Sequence, residues 1–215
     1  GVVCSTYTDP KHTWQVIKSF KGGTALFTQP ATPIKCGGAP QKIMYLAESH
    51  FKKRGVRSKT DVVFATVGTV IFGIKEIAET LMHVVDRKDI NLRFNHKLVE
   101  VDAEKQIAWY ELTKDVPMGG CVIMSDDDEE KCIDETFQYN YKNVKVTKKD
   151  NRYGIHYDML HTAPPSVAPE FVRKSSLVNE AGWVDVDIHT MQHKKYGNIF
   201  SLGDVAGLPT AKTGA

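Results

Sequence analysis

A chain of 215 residues with 28 Lys and Arg against 26 Asp and Glu has a formal net charge of +2, too small for a strong nucleic-acid footprint, and no basic stripe stands out along the sequence. Hydrophobic residues at 41% and charged residues at 25% are ordinary globular usage and exclude disorder and collagen. The four cysteines, at 4, 36, 121 and 132, are too sparse for a disulfide scaffold and include no CxxC pair for a structural zinc, and no run approaches the ~18 apolar residues of a membrane helix.

Asp9-Pro10 predicts a helix start, with Trp14, Ile17 and Phe20 at helical spacing and Gly22-Gly23 to end it. A short buried strand is expected at 24–28, then a loop over 29–40 broken by Pro30, Pro33, Gly37 and Gly38. The next helix starts near Pro40, with Ile43, Leu46, Ala47 and Phe51 inward and Gly55 closing it. A second, nearly all-apolar strand spans 61–67, as strands buried on both faces do. A helix from about Ile74, with Ile77, Leu81, Val84 and Val85 inward, leads to a third strand at 91–94. That alternation indicates a parallel α/β unit of Rossmann-like type. An antiparallel hairpin follows at 98–112, with alternation in Ile107, Trp109 and Glu111. Residues 113–135, including SDDDEEK, read as an exposed insertion. Strands are expected again at 137–141, 158–163 and 183–187, a last one over 199–202 ends in Gly203-Asp204, and a helix is expected from Thr210. Trp14, Trp109 and Trp183 are assigned to cores.

The first chemical candidate is Cys36, in a glycine-rich loop just before a predicted helix N-terminus. Free N–H groups, the helix dipole and Lys35 favour a thiolate there, and Gly37-Gly38 leave room for a flat cofactor or a small sulfur nucleophile. The second is Gly203-Asp204, a carboxylate at a strand end that suits sugar hydroxyls. The third is an absence: no G-x-G-x-x-G occurs, and Gly68 to Gly73 has the place of a dinucleotide loop but carries bulky Ile71-Phe72. His189 and His193 have i,i+4 spacing but no third ligand, so no metal site is assigned. The acidic run 126–130 lacks the pattern of a calcium loop.

Several segments resemble the sulfide:quinone oxidoreductases, FAD-dependent flavoproteins of the pyridine nucleotide-disulfide reductase class, and most of all their mitochondrial branch. They are Thr32 to Leu46 (TPIKCGGAPQKIMYL), Phe72 to Lys75, Met159 to Pro165, Ala181 to Asp187 and Gly203 to Thr213. The resemblance implies oxidation of sulfide to persulfide or polysulfide on a redox cysteine pair beside FAD, with electrons passed to a membrane quinone. It puts Cys36 on one redox cysteine, Gly203 and Asp204 on flavin contacts, and Lys212 and Thr213 beside the isoalloxazine and quinone. Val205 stands where that branch has its second redox cysteine, so the partner would be Cys121, Cys132 or a residue beyond 215, or is absent. The start at Gly1 and the ending Thr213-Gly214-Ala215 suggest an internal piece of a longer protein, poor in FAD binding and inactive alone. The expected organisation is a linker and helix from the FAD domain (1–22), a Rossmann-like middle domain (23–165) with the insertion, and an incomplete return to the FAD domain (166–215). Expected partners are sulfide and quinone, not nucleic acid, with a membrane surface met peripherally through parts outside this chain, in bacteria or the mitochondrial inner membrane, and a possible homo-oligomer. The rival readings are an NAD(P)H-dependent flavin oxidoreductase and a non-catalytic module.

Overall fold

The computed structural model describes residues 2–31, 34, 36–113 and 144–209. The strand expected at 137–141, nearly all of the insertion, the helix expected from Thr210, Cys121 and Cys132 lie outside them. The chain divides into two compact units, Gly1–Ala31 with Pro40–Pro164, and Thr32–Ala39 with Pro165–Ala215.

The first unit has three layers. Its centre is a parallel sheet of β1 (Val2–Cys4), β2 (Gly23–Gln29), β3 (Thr60–Thr66), β4 (Asn91–Arg93) and β9 (Met159–His161), in the order β1-β9-β2-β3-β4. One face carries α1 (Pro10–Ser19), α2 (Ala39–Lys53) and α3 (Lys75–Arg87). The other faces an antiparallel sheet of β5 (His96–Asp102), β6 (Ile107–Leu112), β7 (Val146–Lys149) and β8 (Arg152–His156), in the order β5-β6-β8-β7. The fold is thus the Rossmann-like α/β class with an antiparallel meander. The segment 1–22, expected to come from a neighbouring domain, instead supplies the edge strand β1 and the helix α1 of this unit.

Alternation along β2 and β3 distributes the core. Ala25, Phe27, Val62 and Phe64 face the helices, meeting Ile17, Met44, Phe51 and Val85. Leu26, Val63 and Ala65 face the antiparallel sheet, meeting Ala108, Tyr110 and Ile155. Side chains buried on both faces of a strand explain the unbroken apolar runs. The α1 start is as the sequence indicates: Asp9 accepts the His12 N–H at 2.9 Å, with Pro10 in the first turn.

Helix phases depart from expectation. On α2 the inward stripe is Met44, Ala47 and Phe51, flanked by Gln41 and Glu48, which leaves Leu46 68% exposed. On α3 it is Met82 and Val85, and Ile77 is exposed. The buried side of β6 is Ala108 and Tyr110, so Trp109 and Glu111 lie on the opposite face. Gly154 explains the position of Trp109: a Cβ there would lie 2.9 Å from the indole ring, so the bare backbone gives the ring its seat. Trp14 is half exposed rather than in the core.

Two polar devices lock the layers. Glu48, buried in α2, is ion-paired with Lys88 and with Arg57 (3.5 Å), and Arg57 donates to the carbonyls of Thr60, Lys88 and Asp89 at 2.6–2.7 Å. This ties α2 to the end of α3 and the start of β3. Asp158 accepts the Thr24 N–H at 2.8 Å and donates its own N–H to the Thr24 carbonyl at 2.9 Å, fixing the register of β9 on β2. Gly23, at φ 100°, is required there, since its Cβ would lie 2.1 Å from the Asp158 carboxylate.

His161 is fully buried on β9. Its Nε2 accepts the Thr6 N–H at 3.0 Å, so the neutral ring carries its proton on Nδ1. His96 donates Nδ1–H to the Phe94 carbonyl at 2.6 Å. Burial pushes both imidazoles down to about 4. The unfolded state therefore binds more protons than the native state between about 4 and the ordinary value of 6.5. Stability is complete above that window and is lost as pH falls through it, by up to about 3 kcal/mol for each ring. Urea titrations at pH 7 and pH 5 should show this loss, with His161→Gln reducing its pH dependence. Glu48→Ala should lower stability by about 2 kcal/mol in the same titration at pH 7, because it leaves two cations against a buried gap.

Candidate functional site

The Cys36 loop leaves the carboxyl end of β2 and enters α2. β2 is the strand at which the order of the parallel sheet reverses, with β3 and β4 to one side and the late-arriving β9 to the other. In open α/β sheets, connections leaving such a point are where ligands bind. Cys36 itself has φ 61°, in the left-handed region. A residue with a Cβ loses roughly 1–2 kcal/mol there, and such strain collects at functional positions. The Cys36 carbonyl accepts the Ala39 N–H at 2.9 Å, closing a turn over Gly37-Gly38 that opens α2. No acidic residue stands in the first turn of α2 to offset the positive end of the helix. Around Gly37 a Cβ would meet nothing within 4 Å. Cys36 is half-buried, with its thiol free. Lys35 lies outside the described residues.

Cys4 provides an internal contrast. It is 4% exposed on β1, and burial pushes its thiol up to about 11 despite a hydrogen bond with Thr13. Position in the fold therefore separates an inert thiol from an accessible one.

Gly203 and Asp204 belong to the same unit as the Cys36 loop. They form a single 3-10 turn, Gly203–Val205, rather than the end of a buried strand. Phe200 and Leu202 before it are 60% and 72% exposed, and the segment 183–187 is held by isolated bridges, not by a strand ladder. Gly203 needs its glycine for conformation alone: φ is 68° and the space around it is open. The turn is pinned from behind. Val184 donates its N–H to the Val205 carbonyl at 2.9 Å, and Gly207 donates to the Val184 carbonyl at 2.8 Å. A Cβ on Gly207 would lie 2.8 Å from that carbonyl, so close backbone approach requires this glycine. Val205 packs with the buried Val184, Val186 and Ala206. Lys212 and Thr213 lie outside the described residues.

The histidines of this unit are structural. His193 accepts the N–H groups of Lys195 and Tyr196 on Nδ1 at 2.9 and 3.2 Å and donates Nε2–H to the Leu177 carbonyl at 3.0 Å. His189 sits in an exposed turn where Asp187 accepts two backbone N–H bonds, which hold that carboxyl below its usual range. As supports, His193 and Gly207 carried no sequence signal, because the backbone groups they reach, at Leu177 and Val184, lie 16 and 23 positions away in the chain.

The Gly68 to Gly73 loop does not fit a dinucleotide. Ile71 is buried in the helix-side core, and its carbonyl accepts Gln41 Nε2 at 2.5 Å. Ile74 at the N-cap of α3 makes no side-chain cap, and Glu76 brings negative charge to the first turn. A pyrophosphate approaching these uncapped N–H groups would meet the like charge of Glu76. By contrast, neither Gly37 nor Gly203 has a neighbour within 4 Å of where a Cβ would lie, so neither position is closed to a ligand.

A parallel sheet covered by helices, with its connections leaving at a switch strand, defines a dinucleotide-type α/β fold. Solved structures share it. The sulfide:quinone oxidoreductase of Aquifex aeolicus matches with a TM-score of 0.64 at 18% identity, over 95% of this chain and 41% of that one. A chain in the Tetrahymena thermophila mitochondrial ATP synthase assembly matches with a TM-score of 0.58 at 23% identity, over 93% of this chain and 40% of that one. No protein-family model matches the chain. In sequence, the chain is homologous to a stretch of the sulfide:quinone oxidoreductase family. It is 39% identical to the mitochondrial enzyme of Mus musculus over 203 residues, 94% of this chain and 38% of that protein. It is 36% identical to the enzyme of Dictyostelium discoideum over 212 residues, 98% of this chain and 39% of that protein. The enzyme of Schizosaccharomyces pombe is 34% identical over 209 residues, 96% and 38%. The chain thus spans about two fifths of the length of the curated relatives it matches.

Alkylation of the native protein at pH 8, read by peptide mass spectrometry, should label Cys36 while Cys4 stays unlabelled until denaturant is added. Equal rates at the two positions would remove the contrast drawn here.

Proposed function

We propose that the protein carrying this chain is an FAD-dependent sulfide:quinone oxidoreductase and that Cys36 is its sulfur-handling thiol. The observation that carries the reading is the Cys36 loop: a half-buried thiol in a left-handed backbone, three residues ahead of an uncontested helix start, in one unit with the Gly203-Asp204 turn. The names of the relatives support the chemistry. When bound, FAD accepts two electrons and passes them to the quinone.

The chain's own residues divide the remaining work. Sulfide attacks one sulfur of a disulfide that Cys36 makes with a second cysteine of the full-length protein. The S–S bond breaks, the attacked sulfur becomes the persulfide and the other leaves as a thiolate, and the helix start beside Cys36 stabilises that negative charge when Cys36 is the leaving sulfur. Asp204 accepts hydrogen bonds from the cofactor's hydroxyl groups, and Gly203 lets the backbone come close to it. Cys4, a free thiol buried on β1, is given no role in this chemistry. The filled loop at Ile71 disfavours a pyridine nucleotide as reductant.

A peripheral place on a mitochondrial membrane agrees with the relatives' names, and among the described residues no helix is long and apolar enough to cross a bilayer. In the full-length protein, Cys36→Ser should lower sulfide-dependent quinone reduction by at least about a hundredfold while leaving the flavin absorption bands in place. Retained turnover would overturn the role of Cys36, and flavin reduction by NADH in place of sulfide would overturn the reaction.

A further inference from the structure

The sequence shows no basic stripe, yet folding builds one. On α1 the exposed positions Lys11, Trp14 and Lys18 follow one another at i, i+3 and i+7, with Lys21 just beyond the helix end. Beside them stands the end of α2: the Trp14 indole packs edge-on against the His50 imidazole, ring centroids 4.8 Å apart. Burial first, then the charges of Arg54, Lys53 and Lys18, hold His50 below its ordinary value, so these three cations converge on one ring. Lys59 adjoins the same edge, its Cβ 3.0 Å from where a Gly22 Cβ would lie. No Asp or Glu occurs in 10–22 or in 49–60. Three acids flank these stretches: Asp9 caps the start of α1, where it accepts the His12 N–H, Asp61 follows on β3, and Glu48 is buried and already paired with Arg57 and Lys88. The halves of this face lie some thirty residues apart in the chain, which hides it from a linear reading.

Helix electrostatics account for part of it only. Lys53 and Arg54 suit the negative end of α2, but Lys11 sits in the first turn of α1, where the helix dipole disfavours a cation and Asp9 is the one acid, its carboxylate taken up in capping the helix. Trp14 is 49% exposed at the centre of the stripe. An amphipathic ring among lysines is the arrangement of residues that sit at lipid headgroup level.

We infer that the face formed by Lys11, Trp14, Lys18, Lys53 and Arg54 docks on an anionic lipid surface, the cations meeting headgroup phosphates and Trp14 entering the interface. The inference leans on the peripheral-membrane placement proposed above for its choice of partner. Its residues are apart from Cys36 and the Gly203-Asp204 turn, so the two readings fail separately.

The test is flotation of the full-length protein with phosphatidylcholine vesicles containing about one third phosphatidylserine, at low and high salt. The triple variant Lys11→Glu/Lys18→Glu/Lys53→Glu should lose at least about tenfold in vesicle affinity, whereas the control Lys145→Glu/Lys148→Glu/Lys149→Glu, with the same charge change, should stay within about twofold. Circular dichroism on both triples, with single Lys18→Glu as a milder variant, verifies folding. Vesicles should also blue-shift the tryptophan emission, and Trp14→Phe should abolish that shift. Unchanged affinity of the first triple, equal losses in both triples, an emission shift that survives Trp14→Phe, or a preference for DNA or an acidic polypeptide over vesicles would overturn the inference. Sulfide-dependent reduction of a water-soluble quinone, measured on the same variants without lipid, should not change. Its loss in the wild type would count against the catalytic reading and not against this one.

Discussion

The parallel pairing of β2 with β9 holds the first unit together, and it joins residues 134 positions apart, Thr24 and Asp158. The described chain between them, two crossover helices, strands β3 and β4 and a four-stranded antiparallel sheet, is an excursion that must return in register. The Asp158 carboxylate reads the backbone of Thr24 while Gly23 makes way for it, so a side chain at Gly23 would disturb the seam itself. Such long-range closure is costly in chain entropy before it is rewarded by burial, and it makes the unit a slow folder relative to one built from local contacts. His161 ends the same strand, which places an acid-labile ring on the seam.

The two described cysteines show how the fold assigns chemistry. Cys4 lies on the strand beside β9, and its surroundings remove the solvent that a thiolate needs. Cys36 lies on the connection leaving the switch strand, where glycines and a helix start replace apolar packing. Neither difference is in the residue type. Each follows from whether the local chain is inside a ladder or between elements.

The element order, the parallel sheet and the helix start at Asp9-Pro10 were legible because apolar runs and capping residues are local signals. Helix phase was less so. Leu46 and Ile77 read as core by composition, but the face that turns inward is chosen by packing on the sheet, which Met44, Phe51 and Met82 fit better. The run Ile199 to Leu202 read as a short strand, yet it joins no ladder beyond a single bridge, and Phe200 and Leu202 stay exposed. Cys36 was visible from its glycines and helix start. What hid from the sequence was its left-handed backbone, a matter of local turn geometry, and the bracing of Gly203-Asp204 by Val184 and Gly207, a product of tertiary hydrogen bonds.

The left-handed backbone of Cys36 sets stability against chemistry at one position. Glycine in its place would relax the loop by roughly a kcal/mol and would also delete the sulfur. A screen for thermal tolerance alone would therefore favour the loss of this thiol, whereas serine keeps the strain and isolates the chemistry. If Cys36 carries the sulfur chemistry proposed for it, redesign for stability would need that position held fixed, because the most favourable local substitution is also the one that removes its half-buried thiol.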